Sequence, residues 1–280
     1  MKTFAFNQLD VFTETPLLGN PLAVVHAADA LDDARMQAFA RWTNLSETTF
    51  LLRPTDVAAD YRVRIFTPAR ELPFAGHPTL GSCHAWLNAG GRAKASEIVQ
   101  QCTAGLVRIR RDGERLAFAA PPQVRSGAVE ARVLDQVTRS LRIAPAAIRA
   151  SQWVDNGPGW VAVMLGSRAE VLAIRPDIAA MQGLEVGVVA PWPGTDANEP
   201  AQFEVRAFVP SLGVAEDPVT GSLNAGLAQW LIGAGLAPPH YVASQGTVLG
   251  RAGRVYVDRV GDDIWIGGNT VVCVDGRVTL

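Results

Sequence analysis

The sequence predicts an α+β protein built from two pseudo-symmetric halves. Three observations in the 280-residue chain support this fold class. The segment "VRIFTP" at 63–68 recurs as "VRAFVP" at 205–210, and "GHPTLGS" at 76–82 recurs as "EDPVTGS" at 216–222. A helical spacing of apolar residues follows each copy, and strand-like alternation surrounds both copies. We therefore expect two sheet-rich halves that each contain one long central helix.

The individual elements follow from the hydrophobic period and from turn residues. Strands are predicted at 5–13, 48–52, 61–67, 105–111, 115–119, 160–165, 202–209, 253–257 and 264–274. Two helices outside the repeat are predicted at 32–43 and 130–141.

The two central helices are predicted to begin at Pro78 and Pro218. Proline suits the first helical position because its missing N–H would have no helical partner there. His77 and Asp217 would then be the N-caps, and aspartate is among the best capping residues.

A boundary between the halves is predicted near "AAPPQV" at 119–124, where two prolines follow a strand. The first half would cover residues 1–120 and the second half 121–263. Two copies of this size do not form the short-period repeat of a solenoid.

The composition excludes several classes of protein. A hydrophobic content of 48%, a charged content of 19% and a net charge of −2 describe an ordinary globular chain. Such a charge gives no strong field for nucleic acid or an anionic membrane, so neither partner is expected. No run of 18 apolar residues and no signal-peptide pattern occurs, so we expect a cytoplasmic protein.

No metal or cofactor site is expected either. The three cysteines are widely spaced without a CxxC pair, and the four histidines have no HxxxH or HExxH spacing. The glycine-spaced "GTVLGRAG" at 246–253 matches neither nucleotide-binding pattern, GxGxxG or GxxxxGK[ST].

Five segments resemble the PhzF-like isomerases of phenazine biosynthesis, which belong to the diaminopimelate epimerase superfamily. They are "GNPLAVV", "NLSETTFL", "RIFTPARELPFAGHPTLG", "EDPVTGSLNAGLAQWL" and "SQGTVLGRAGRVYV", in the family's order over nearly the whole chain. The resemblance implies that each half is a β-barrel-like sheet wrapped around its central helix. It also implies that the last strands, at about 264–280, return to the first half, and that the protein is a homodimer. The expected active site is a cleft to which both central helices point their N-termini.

Glu47 is the candidate proton carrier. The family's general acid/base is the glutamate of the motif that "NLSETTF" resembles, and Glu47 is the matching residue. A carboxylate in a closed apolar cleft has a raised pKa, which suits reversible proton transfer. The alternative is structural, because Asn44 and Glu47 have the spacing of a helix capping box.

The remaining candidates are substrate-binding residues implied by the resemblance: Asn20, Gly76, His77, Asp217, Gly221 and Ser222. The glycines would let a substrate carboxylate approach the amides of a helix N-terminus. His77 and Asp217 would orient the substrate, although both could act only as N-caps. Ser222 could bind the carboxylate or only face the first helical turn, and Asn20 could be only a turn residue.

Racemases of the superfamily use a cysteine at each central-helix start, where this chain has Gly76-His77 and Asp217. A two-thiol mechanism is therefore disfavoured. The expected function is a cofactor-independent isomerase of a small carboxylate, which takes and returns one proton on one face. In named family members the substrate is trans-2,3-dihydro-3-hydroxyanthranilate. The alternatives are an amino-acid or hydroxy-acid racemase that uses Glu47 and Asp217, and a non-catalytic small-molecule binding protein.

Overall fold

A computed structural model describes residues 1–193, 200–212 and 214–280 of the chain. They divide into two compact units, Met1–Ala119 with Gly267–Leu280, and Ala120–Ile266. Both units combine helices with mainly antiparallel strands, so the α+β class is confirmed. Within the described ranges, no helix is long and apolar enough to cross a membrane.

The elements are numbered in chain order. The strands are β1 (Thr3–Val11), β2 (Asn20–Val25), β3 (Glu47–Leu52), β4 (Tyr61–Phe66), β5 (Glu71–Leu72), β6 (Ile98–Cys102), β7 (Gly105–Asp112), β8 (Arg115–Ala119), β9 (Arg125–Gly127), β10 (Ala150–Asp155), β11 (Trp160–Met164), β12 (Glu185–Pro191), β13 (Phe203–Val209), β14 (Val214–Asp217), β15 (His240–Gln245), β16 (Gly253–Val260), β17 (Asp263–Gly268) and β18 (Thr270–Thr279). The helices are α1 (Asp33–Thr43), α2 (Gly76–Asn88), α3 (Ala131–Leu141), α4 (Arg168–Ala173) and α5 (Gly221–Gly233).

Strand pairing follows the same order in both units. In the first unit β18, β1 and β2 pair antiparallel, β2 and β3 pair parallel, and β3 and β4 pair antiparallel. β4 then pairs antiparallel with β5 and parallel with β6, which pairs antiparallel with β7. In the second unit β9 to β16 repeat these steps, with β10 in the place of β1 and β15 in the place of β6. The predicted pseudo-symmetry is therefore confirmed.

Each unit has one almost wholly buried helix. The first eight residues of α2 and the first eight of α5 are all buried. A helix that lacks a polar face belongs in a protein interior, because it has no side that favours water. α2 contacts β1, β2, β3, β4, β8 and β18 of its unit, and α5 contacts β10, β11 and β16 of its own. These are the two predicted central helices.

The predicted starts of the central helices are wrong. α2 begins at Gly76 after the N-cap Ala75, so His77 is its second residue and not its cap. α5 begins at Gly221 after the N-cap Thr220, whereas Asp217 still belongs to β14. Asp217 cannot cap α5 because its backbone pairs with Ala207 of β13 in an extended conformation.

The shared frame of "GHPTLGS" and "EDPVTGS" is consequently not a structural correspondence. Ser82 is the seventh residue of α2 and donates to Thr49 Oγ1 at 2.9 Å, whereas Ser222 is the second residue of α5. By position in the helix, Gly76-His77 corresponds to Gly221-Ser222. The sixth residues also correspond, since Gly81 packs closely on Leu22 and Gly226 packs closely on Val154.

The outer helices are confirmed to within one residue, as α1 with N-cap Asp32 and α3 with N-cap Glu130. The predicted strand at 264–274 is wrong in extent, because β17 ends at Gly268 and β18 begins at Thr270. A Cβ at Gly268 would overlap Phe12, so glycine permits close packing where the two strands meet. The strands that were not predicted are β2, β5, β6, β9, β10, β12, β14 and β15.

Candidate active site

Three of the predicted site residues come together in the first unit. Glu47 is the first residue of β3, Asn20 is the first residue of β2, and His77 is the second residue of α2. Parallel pairing places Glu47 opposite Leu22, two residues beyond Asn20 on the neighbouring strand. All three side chains are buried, with 7%, 0% and 3% of their surface exposed. We call these three residues, with the adjoining Gly76, the first-unit group.

The imidazole of His77 bridges the other two side chains. Its Nδ1 lies 3.2 Å from Asn20 Nδ2, and its Nε2 lies 3.4 Å from Glu47 Oε2. The ring also donates to the carbonyl of Pro21, because proline has no backbone N–H of its own.

Burial determines the charge of this histidine. Removal from water lowers the pKa of His77 to about 3, although a hydrogen bond with the backbone of Pro21 opposes the shift. A low-dielectric surrounding disfavours the protonated ring, so the imidazole is neutral at pH 7. His77 therefore supplies no positive charge beside Glu47.

The capping-box alternative for Glu47 is wrong. Asn44 follows α1 as its C-cap, with φ of 54° in the left-handed region, and its N–H donates to Ala40 O. Asparagine tolerates this conformation better than most residues and commonly ends helices. Glu47 then begins a strand and not a helical turn.

The second-unit group consists of Asp217, Gly221 and Ser222. Asp217 ends β14 with 9% of its surface exposed, and Thr220 Oγ1 donates to Asp217 Oδ2 at 2.6 Å. Ser222 Oγ accepts from Trp160 Nε1 at 3.1 Å, and the carbonyl of Ser222 accepts from Asn156 Nδ2 at 2.8 Å. These contacts hold Ser222 at the first turn of α5 and leave its hydroxyl proton to be donated elsewhere.

Neither central helix begins with a capping side chain. Ala75, the N-cap of α2, has no polar side-chain atom, and the hydroxyl of Thr220, the N-cap of α5, donates to Asp217. The first amides of a helix have no partner within the helix and carry partial positive charge. A helix that starts without a cap therefore suits an anionic ligand such as a carboxylate.

Sequence reasoning missed four side chains around the second-unit group: Asn156, Trp160, Thr220 and Gln245. Thr220 lies inside the repeat copy "EDPVTGS", and Gln245 lies inside "SQGTVLG", so both belong to recognisable sequence motifs. Asn156 and Trp160 contact Ser222 from 62 or more residues away, and no local pattern signals such a contact.

The cysteines offer no activated thiol. Burial raises the pKa of Cys83 to about 12, and it also raises the pKa of Cys102 and of Cys273. Since the thiolate is the reactive form, these groups are poor proton carriers at neutral pH. No cluster of three or more metal-ligating side chains occurs in the part of the chain that the structure describes.

Comparison with known proteins identifies the family of the chain. Residues 9–276 match the family model of the phenazine biosynthesis-like proteins, PhzC-PhzF. The chain is 36% identical to antisense-enhancing sequence 1 of Schizosaccharomyces pombe, over 99% of both proteins. It is 32% identical to trans-2,3-dihydro-3-hydroxyanthranilate isomerase of Pseudomonas aeruginosa, over 97% of this chain and 98% of that protein.

Solved structures place the fold in the same group. A PhzF-family phenazine biosynthesis protein of Enterococcus faecalis is 25% identical and superimposes with a TM-score of 0.82, over 100% of both chains. A hydroxyproline epimerase of Agrobacterium vitis is 14% identical and superimposes with a TM-score of 0.59, over 99% of this chain and 93% of that one. The second likeness shows the epimerase-like fold alone. The chain belongs to the phenazine biosynthesis-like PhzC-PhzF family, and it is an isomerase.

Proposed function

We propose that this isomerase acts without a cofactor on a small carboxylate, with Glu47 as the group that moves the proton. The observation that carries the proposal is the first-unit group, in which a buried carboxylate lies 3.4 Å from the neutral imidazole of His77. A proton carrier needs a fixed orientation near the reacting carbon, and burial among strand and helix starts supplies it.

The proposed reaction needs one side chain that accepts and returns a proton, and it needs no oxidant. Glu47 accepts the proton as a C–H bond of the substrate breaks, and the electron pair moves into a new double bond. The carboxylic acid then returns that proton to a different carbon on the same face, while the original double bond is lost. His77 lies beside the carboxylate, 3.4 Å from Nε2 to Glu47 Oε2, and remains neutral throughout.

The substrate is proposed to be an unsaturated carboxylate with amino or hydroxyl substituents. The relative at 32% identity is named for trans-2,3-dihydro-3-hydroxyanthranilate, which has these groups, and we propose this compound as the first substrate to test. Each helix start is proposed as a carboxylate-binding group, through the main-chain N–H of Gly76 in the first unit and through Gly221 and the Ser222 hydroxyl in the second. Asn20 and Asp217 are each proposed to bind a polar substituent.

The test is isomerisation of this compound in D₂O, followed by proton NMR, with Glu47→Gln as the decisive variant. We expect a loss of roughly 10²- to 10⁴-fold in rate, which is the usual contribution of general acid–base catalysis. Glu185→Gln is the matched control, because Glu185 is also buried and begins β12 opposite Trp160, as Glu47 begins β3 opposite Leu22. Full activity in Glu47→Gln, or equal losses in both variants, would contradict the proposal.

Racemisation or epimerisation is the second candidate, because Asp217 is another buried carboxylate, at the end of the strand that leads to α5. The same experiment separates the two. Deuterium at an inverted carbon with the double bonds unmoved would favour epimerisation. Tight binding without any exchange would show that this compound binds but is not the substrate. The homodimer of the family is a further proposal for this chain, to be measured by sedimentation equilibrium.

A further inference from the structure

The segment at 244–253, "SQGTVLGRAG", has no role in the proposed reaction. We propose that Gln245, Gly246 and Gly253 of this segment are positioning residues that fix Asp217 and the start of α5. The inference rests on the proposed function in so far as Asp217 contacts the substrate. It concerns one loop, residues 217–220, which connects β14 to α5 and which we call the 217–220 loop.

The side-chain amide of Gln245 is completely used by this loop and helix. Gln245 is 0% exposed at the end of β15. Its Oε1 accepts from the backbone N–H of Thr220 at 3.0 Å and from Asn224 Nδ2 at 2.9 Å. Its Nε2 donates to the carbonyl of Asp217 at 3.1 Å and to Thr220 Oγ1 at 2.9 Å. A glutamine amide has two acceptor and two donor positions, so all four are filled.

The backbone partners determine which way this amide points. The N–H of Thr220 can only donate and the carbonyl of Asp217 can only accept, so Oε1 and Nε2 cannot exchange places. Thr220 Oγ1 therefore accepts from Gln245, and its single proton is directed to Asp217 Oδ2 at 2.6 Å. Hydrogen bonds to a carboxylate are short and strong, so this series of hydrogen bonds from Gln245 through Thr220 fixes the rotamer of Asp217.

Two glycines let the 244–253 segment lie against the loop. Gly246 has φ of +94°, and a Cβ there would lie 2.7 Å from the carbonyl oxygen of Pro218. A Cβ at Gly253, which pairs with Gln245 across β15 and β16, would overlap Val219 Cγ2. Larger residues at either position would push the 217–220 loop away, because one obstacle is backbone and the other is a fully buried side chain.

The first unit supplies a matched control. Gln100 lies on β6, the counterpart of β15, and is also 0% exposed. Its distance along the sequence from the start of α2 equals the distance of Gln245 from the start of α5. Its Nε2 donates to Thr79 Oγ1 at 2.9 Å, and its Oε1 accepts from Tyr61 at 2.9 Å. Neither partner belongs to the first-unit group. Loss of the Gln100 amide should therefore cost similar stability without affecting the site.

The experiment compares Gln245→Leu with Gln100→Leu, and Thr220→Val with Thr220→Ser and Thr79→Val. Turnover of trans-2,3-dihydro-3-hydroxyanthranilate should fall roughly ten- to a hundredfold in Gln245→Leu and Thr220→Val, as expected for loss of a hydrogen bond to a charged group. Thr220→Ser keeps the hydroxyl and should restore turnover. Gln100→Leu and Thr79→Val should lower only the melting temperature.

A second measurement needs no substrate. Hydrogen exchange of the Thr220 amide, followed by NMR, should accelerate in Gln245→Leu and stay unchanged in Gln100→Leu, because only Gln245 accepts that N–H. If the wild-type protein does not turn over this compound, the choice of substrate is wrong, and amide exchange still decides the inference. Unchanged exchange at Thr220 in Gln245→Leu would overturn it. Equal kinetic losses in the two leucine variants would do the same, and Thr220→Val decides the matter if Gln245→Leu does not fold.

Discussion

His77 connects the first-unit group because each of its ring nitrogens faces a different side chain. Asn20 Nδ2 lies 3.2 Å from Nδ1, and Glu47 Oε2 lies 3.4 Å from Nε2. The three residues come from two parallel strands and a helix, and 57 positions separate Asn20 from His77. The resemblance pointed to each of them separately. The proximity of Asn20 and Glu47 depends on the parallel pairing of β2 with β3, which no local sequence pattern predicts.

Burial of a neutral histidine makes stability depend on pH. The pKa of His77 is about 3 in the folded protein, against an ordinary value of 6.5. Between these values the unfolded chain binds a proton that the folded chain does not, so the free energy of unfolding falls as the pH falls below 6.5. The slope is at most about 1.4 kcal/mol per pH unit.

We therefore expect wild-type protein to lose about 2 kcal/mol more than His77→Gln between about pH 7.5 and pH 5, measured by urea unfolding. His26 and His84, whose pKa values are also lowered by burial, contribute equally to both proteins and cancel in the difference. The same pH dependence in the two proteins would show that His77 is not buried as a neutral ring.

At the scale of the element, the repeated "VRxFxP" has a structural cause. Arg64 of β4 donates to both carboxylate oxygens of Glu71 at 2.8 and 2.7 Å, and so attaches β5. Arg206 of β13 donates in the same way to Glu216 of β14 at 2.8 and 2.7 Å. A bidentate pair fixes both position and orientation, so each arginine sets the strand that leads to its central helix.

The starts of those helices were harder to predict. Proline and aspartate favour a helix start at Pro218 on local grounds alone, yet Asp217 pairs with β13 and α5 begins at Gly221. Tertiary pairing outweighed the local preference there. The outer helices were predicted correctly because their caps and apolar spacing agree with their packing, as in α1, where Asp32 accepts from the N–H of Arg35.

Close packing between helix and strand predicts which glycines the central helices need. A Cβ at Gly226 would overlap the carbonyl oxygen of Val154, which as backbone cannot rotate away. Gly226→Ala should therefore destabilise the protein by about 1–3 kcal/mol in urea unfolding. Gly233→Ala, on an exposed position at the end of the same helix with no atom within 4 Å, should be neutral or stabilising by at most about 1 kcal/mol.

The comparison of these two variants separates packing from helix propensity. Propensity alone favours alanine at both positions, so it predicts a gain from each. A stable Gly226→Ala protein would mean that α5 lies farther from β10 than the structure has it.

For the whole molecule, the repetition of one unit explains which features could be predicted from the sequence and which could not. Both units keep the same pairing order, the same bidentate arginine and the same buried glutamine, which makes the fold predictable from one chain. The proposed chemistry lies where the copies differ. The second residue of the central helix is His77 in one unit and Ser222 in the other, and this difference emerges only after the helix starts are known.

The absence of thiol chemistry from the proposed mechanism is testable over the whole chain. Cys83 and Cys102 are buried and Cys273 is half-buried, and burial raises the pKa of all three thiols. Iodoacetamide at about pH 7.5 reacts with thiolates, so we expect slow modification and no loss of isomerase activity. Mass spectrometry would count the modified cysteines, and protein unfolded in urea should react at all three. Loss of activity in step with one modification, together with the same loss in an alanine variant of that cysteine, would contradict the proposed mechanism. The alanine variant is needed because alkylation of a buried thiol also disrupts core packing.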